Sequence, residues 1–120
     1  MDTSPFGSGI ALNYCHQCEI KNCEIARNAW YGLLITECKG ITALGNLIEA
    51  NDRSGIMAEF LQSGSSDILL SGNQIQYNNG FGIESYAATN LKSVSNTFAG
   101  NGTDLKSDEK ISPEKIIIMQ

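Results

Sequence analysis

Three carboxylates recur at comparable places along the chain: Glu37, Glu59 and Glu84. Glycosidic-bond hydrolysis needs two carboxyls at a defined separation. Close carboxyls also split their pKa values, because one ionised group disfavours ionisation of the other. Tyr14, Phe60 and Tyr86 put aromatic rings near these acids, and Asn13 and Arg53 add polar groups. Sugars offer apolar faces to rings and hydroxyls to polar side chains. Glu37, Glu59 and Glu84 are therefore the catalytic candidates, and Tyr14, Phe60, Tyr86, Arg53 and Asn13 the substrate-binding candidates. The competing reading is a solvated face of mixed polar residues, since charged surface pairs are common without function.

Cysteine is the second chemical feature. Cys15-His16-Gln17-Cys18 encloses the sole histidine, and Cys23 and Cys38 lie nearby. Such spacing can hold zinc, but a second CxxC is missing. His16 also has no neighbouring Ser or Asp with which to form a triad. Stacked core thiols are the simpler reading, so no metal and no cofactor is predicted. Cys15 and Cys38 fall at equivalent positions, where a disulfide is geometrically open to them. Asn101-Gly102-Thr103 reads as a glycosylation sequon, although its register assigns Asn101 to an internal column.

The elements that position these residues repeat. Cys23-Glu-Ile25-Ala-Arg-Asn28 returns as Asn46-Leu-Ile48-Glu-Ala-Asn51, Asn73-Gln-Ile75-Gln-Tyr-Asn78 and Asn96-Thr-Phe98-Ala-Gly-Asn101. Four residues after each closing Asn stand Gly32, Gly55, Gly82 and, departing from the rule, Leu105; Gly9 begins the series. The coils thus start near 9, 32, 55, 82 and 105, with spacings of 23, 23, 27 and 23 residues. The four extra residues fall near Ser63-Gly64-Ser65-Ser66, a loop composition.

Within each coil, apolar residues alternate in three short segments. Ile10, Leu33, Ile56 and Ile83 occupy one position; Cys18, Ile41, Ile68 and Leu91 another; Ile25, Ile48, Ile75 and Phe98 a third. Alternation is the strand signature, and three strands per coil of about 23 residues describe a parallel β-solenoid. Like residues then stack about 4.8 Å apart. Stacked Asn can pair amide to amide as a ladder, and Asn tolerates the left-handed backbone of a sharp turn. The outward positions of the first strand in each coil are Ala11 and Asn13, Leu34 and Thr36, Met57 and Glu59, Glu84 and Tyr86.

The phrases G-I-x-[LI] and N-x-I-x-x-N resemble the repeats of right-handed parallel β-helix proteins of the pectate-lyase-like superfamily. The resemblance covers residues 9 to about 104. It implies an all-β fold of between four and five coils, and enzymes that act on polysaccharide at one exposed sheet. Family motifs are missing: there is no Asp cluster for calcium, no polygalacturonase-like Asp-Asp pair and no Asp-Pro-His-Glu run as in alginate epimerases. A leucine-rich repeat shares the period, but it needs a Leu-bearing return segment where this chain has Gly55-Ile56-Met57-Ala58.

Composition limits the partners. The 120 residues make one domain, 42% are hydrophobic, and the net charge is −5 with no basic run. Nucleic acid is therefore not expected as a partner. No apolar run reaches membrane-spanning length. An ice-binding array would need regular Thr rows, which Thr36 and Thr42 do not make. Solenoid ends expose strand edges and core. Residues 105–120, with apolar Ile116-Ile117-Ile118-Met119, are read as a cap or interface strand. Open ends imply a homo-oligomer or the continuation of a longer solenoid. The function classes left are a polysaccharide-binding or polysaccharide-processing module, and a non-catalytic structural or protein-interaction scaffold.

Overall fold

The computed structural model describes residues 7–107 and the backbone of the strand Ile116–Met119. Every regular element among them is a strand. The first sheet stacks β1 (Ile10–Asn13), β4 (Leu33–Thr36), β7 (Ile56–Glu59), β10 (Phe81–Ser85) and β13 (Thr103–Ser107). The second stacks β2 (His16–Lys21), β5 (Lys39–Leu44), β8 (Ser66–Ser71), β11 (Thr89–Val94) and β14 (Ile116–Met119). The third stacks β3 (Glu24–Ala26), β6 (Leu47–Glu49), β9 (Gln74–Gln76) and β12 (Thr97–Ala99). All pairings are parallel, and each joins a strand to its counterpart one coil away. The molecule is a parallel β-solenoid.

Register follows the repeat. Ile10 pairs with Leu33, Leu33 with Ile56, and Ile56 with Ile83. Ile41 pairs with Ile68, and Ile68 with Leu91. Ile25, Ile48 and Ile75 align with Phe98. These columns form one continuous core, with Leu33, Ile41, Ile48, Ile75 and Ile83 fully buried. The insertion lies between β7 and β8: Thr36 pairs with Glu59, whereas Lys39 pairs with Ser66. The last step is shorter than the glycine spacing predicts. Leu105 pairs with Ile83, not with Gly82. A 22-residue step keeps apolar Leu105 in the inward column, where a glycine position would have wasted it.

The repeated phrase has a physical basis. Asn51 lies buried between coils. Its Oδ1 accepts from the backbone N–H of Asn28 at 3.1 Å and from Asn28 Nδ2 at 2.8 Å. Its Nδ2 donates to Asn78 Oδ1 at 2.8 Å and to the Ile25 carbonyl at 3.4 Å. Asn46, Asn73 and Asn96 bond in the same way along a second column. The left-handed backbone falls on the residue before each column Asn, not on the Asn itself: Arg27, Ala50, Tyr77 and Ser95 have φ of 56–57°, and Gly45, Gly72 and Gly100 hold the same region before the other three. That kink turns the following Asn side chain inward. The coil-start glycines have a different cause. A Cβ on Gly55 would stand 2.9 Å from Asn78 Nδ2 and 3.0 Å from the Gly82 carbonyl oxygen. Gly and Asn are thus two halves of one close contact.

Candidate functional site

The outer face of the first sheet is less open than alternation alone suggests. Leu34, Met57 and Thr36, at outward positions, are buried. Leu34 and Met57 form a small apolar cluster with Tyr31, and Trp30 and Tyr86 pack against it. The rings of Trp30 and Tyr31 lie 5.0 Å apart, tilted by 39°. These aromatics come from the turn that precedes the sheet, so a second, minor core covers the sheet where it meets that turn.

An open cleft of about 530 Å³ lies along the same turn, lined by Tyr31, Asp52, Arg53, Asn79, Phe81 and Glu84 among others. Glu84 is its most constrained acid. Its Oε1 accepts from Ser54 Oγ at 2.7 Å, and its Oε2 accepts from the Tyr86 hydroxyl at 2.6 Å. Ser54 is itself buried, and its Oγ accepts the Phe81 backbone N–H at 3.0 Å. The serine thereby ties the carboxylate to the start of β10. The Arg53 guanidinium lies 5.7 Å from the centroid of the Trp30 ring, a cation–π distance. Burial, and next the Glu84 carboxylate, push the Tyr31 phenol above its ordinary value, against the opposing pull of Arg53. Tyr31 therefore remains a neutral hydroxyl at physiological pH.

The structure divides the residues singled out from sequence. Glu84 and Arg53 line the cleft, and Tyr86 joins them only through its hydrogen bond to Glu84. Glu59 sits at the other end of its strand, where its Oε2 accepts from the Thr36 hydroxyl at 3.0 Å. It is near enough to act on the Tyr31 phenol. Asn13 occupies the exposed end of β1, paired in register with Thr36. Tyr14 and Phe60 lie beyond the far ends of their strands, 60% and 49% exposed.

Glu37 is engaged by the inserted loop. Its Oε2 accepts backbone N–H bonds from Leu61 at 2.9 Å, Gln62 at 3.0 Å, Ser63 at 3.1 Å and Gly64 at 2.7 Å. The Gly64 N–H, followed by those of Leu61 and Gln62, holds the carboxyl down to about 2. It is thus an anion that organises residues 60–65, with its acceptor capacity taken by the chain.

The four cysteines are free thiols. Cys15 and Cys38 stack in adjacent coils, and the Cys15 N–H donates to Cys38 Sγ at 3.4 Å. The Cys38 thiol is buried and donates to the Leu12 carbonyl at 3.2 Å. Burial pushes the Cys38 and Cys18 thiols up, the direction of inert rather than nucleophilic sulfur. Among the described residues, no group of three or more His, Cys, Asp or Glu side chains is placed to hold a metal ion. Asn101 Nδ2 donates to the Ile75 carbonyl at 2.9 Å, so the sequon amide belongs to a column.

Ser54 and Tyr31 were not among the residues singled out as sites. A signal for them exists. Tyr31, Ser54 and Phe81 each immediately precede a coil-start glycine. They consequently stack in one column at the mouth of the cleft.

Comparison with known proteins agrees with this architecture. The crystal structure of the periplasmic alginate epimerase AlgG superposes with a TM-score of 0.59 at 16% identity, covering 94% of this chain and 39% of that one. A double mutant of the same epimerase matches with a TM-score of 0.41 at 15% identity over the same shares. The chain thus spans about two fifths of the length of those structures. No curated protein matches. The family described as "Right handed beta helix region" matches residues 3–109. With its parallel coils, repeated core columns and this match over most of its length, the chain belongs to the right-handed β-helix family.

Proposed function

We propose that the chain is a carbohydrate-associated β-helix module that binds polysaccharide in the cleft beside the first sheet. The arrangement of that cleft supports this most directly. A neutral phenol, a guanidinium, a carboxamide and two carboxylates line it together with the ring of Phe81. Ligand sites commonly combine such an apolar lining with a few fixed polar groups, in volumes of about 300–1,000 Å³. AlgG, an alginate epimerase, uses the same fold. The 120 residues carry no Asp-Pro-His-Glu run, so recognition rather than epimerisation is the activity proposed for them.

Arg53, Glu84 and Tyr86 form the centre of the binding site in this proposal. Glu59 and Glu84 are the carboxyls available for acid–base work, and Asn13, Tyr14 and Phe60 extend the surface along the sheet. A glycan array probed with the whole chain is expected to give a carbohydrate signal. Arg53→Ala, at an exposed position, is expected to weaken that signal about tenfold. No signal on any glycan, or an unchanged signal in the variant, would contradict the proposal.

A second reading, a scaffold that associates through its ends, is favoured by a separate observation. A cleft of about 320 Å³ opens beneath the first coil, lined by Ile10, Cys23, Ile25, Ala26 and Asn28 among others. Among the described residues, the strands β1, β2 and β3 each have a neighbour on one side only. In this reading residues 1–120 act as one domain, and the tail strand is a cap or interface element.

A further inference from the structure

We infer that the cleft selects an uncharged, hydroxyl-rich glycan and discriminates against polyuronates, although the fold is shared with an alginate epimerase. This rests on the carbohydrate reading above and names the ligand class for the same site. Charge is the first observation. Asp52 and Glu84 line the cleft against one cation, Arg53, so the lining carries one net negative charge. Glu59 adds a further carboxylate close enough to influence Tyr31. The whole chain is also negative, at −5. A polyuronate carries a carboxylate on every sugar, and each one would meet like charge here. Like-charge juxtaposition is an effective device for rejecting wrong partners.

Hydrogen-bond polarity is the second observation, and it points the same way. Carboxylates accept only. Glu84 already accepts from Ser54 and Tyr86, and it retains lone pairs toward the cleft. Asp52 is exposed beside it. The donors are Arg53, the Asn79 amide and the Tyr31 hydroxyl. Arg53 is partly committed, lying over Trp30 and close enough to act on the Tyr31 phenol. The two carboxylates in the lining call for a ligand that brings donors to them. Sugar hydroxyls donate, whereas a uronate carboxylate cannot. The apolar surface of Phe81 and Tyr31 suits a pyranose face under either substrate class and does not decide between them.

Titration of the whole chain with hexasaccharides tests the inference. The neutral probes are cellohexaose, mannohexaose and xylohexaose; the anionic probes are hexamers of galacturonate, mannuronate and guluronate. Binding is followed by calorimetry and by backbone amide shifts of Ala29, Asp52 and Gly80. At least one neutral hexamer is expected to bind ten or more times more tightly than any uronate, and to shift those amides. Its Kd is expected to stay within about twofold between low and moderate salt, because no charged pair forms. Asp52→Asn, at an exposed position, is expected to narrow the discrimination by about threefold or more. A uronate that binds more tightly, with affinity that falls as salt rises, overturns the ligand class and leaves the carbohydrate reading standing. Failure of every hexamer to bind overturns both.

Discussion

At the scale of single residues, the molecule shows how strictly a solenoid interior accounts for polar groups. Asn51 has its amide and carbonyl fully engaged, with two bonds accepted and two donated. Ser93 takes its place in the core by accepting from Asn96 Nδ2 at 2.8 Å. Ser85 has no such arrangement. It is buried at a position where the coils below place Ile35 and Ala58, and its hydroxyl finds no hydrogen-bond partner among the described residues. Burying an unpaired hydroxyl costs about 1–3 kcal/mol in protein mutational data. Ser85→Ala is therefore expected to stabilise the fold by about 1 kcal/mol and to raise Tm by about 4 °C. A thermal melt that shows no gain, or a loss, would mean that the hydroxyl is satisfied. The core columns and both Asn columns were legible from residue type and spacing. Two things were not. The inward turn of Asn depends on a kink at the preceding residue; Gly marks it at 45, 72 and 100, but Arg27, Ala50, Tyr77 and Ser95 carry no common side-chain signal. The engagement of Glu37 depends on backbone amides, which sequence does not display.

The elements depend on their connections as much as on their strands. The loop 60–65 was recognisable as an insertion from Ser63-Gly64-Ser65-Ser66, but not its anchor one coil away. The folded Glu37 carboxyl titrates at about 2, below its ordinary value of 4.5. A depressed carboxyl contributes stability that is complete above the unfolded value and is lost as pH falls through the folded one. Glu37→Gln is therefore expected to lower Tm by a few degrees at neutral pH, with the gap to wild type closing between about pH 4.5 and pH 2. Parallel melts across that range would show it. A gap that is constant with pH would mean that the carboxylate charge does not hold the loop. The first sheet shows a related limit of pattern reading. Alternation identified Leu34 and Met57 as outward-facing, and in the sheet they are. They are nonetheless buried, because Tyr31 and Trp30 fold back from the preceding turn. A two-residue period assigns faces but not what covers them. For that reason the sequence-derived site included a broad face, of which the cleft collects Glu84 and Arg53, with Tyr86 bonded to Glu84.

At the scale of the whole molecule, both ends finish on edge strands. On the last coil, β13 pairs with β10, and β14 pairs with β11. On the first coil, β1, β2 and β3 present edges with no partner among the described residues, and Ile10 and Ile25 line a cleft there. Unprotected parallel edges recruit other strands. Light scattering over a concentration series is expected to show self-association of the 120-residue chain. Ala11→Lys, on the edge strand β1, is expected to reduce it by at least half, since an edge lysine opposes strand addition. A species that stays monomeric throughout would mean that the first coil is protected without a partner.

The bonds that hold the coils together also set how the chain would respond to force. Asn-to-Asn and strand-to-strand bonds all join one coil to the next, 22 to 27 residues apart. Pulled by its two ends, the chain would unwind one coil at a time, because detaching a coil breaks its entire layer of bonds and leaves the next layer intact. A 23-residue coil releases about 80 Å of contour length, at roughly 3.5 Å per residue. The coil that contains the loop wrapped around Glu37 releases about 14 Å more for its four extra residues. That single longer step would mark the position of the insertion within the unwinding sequence.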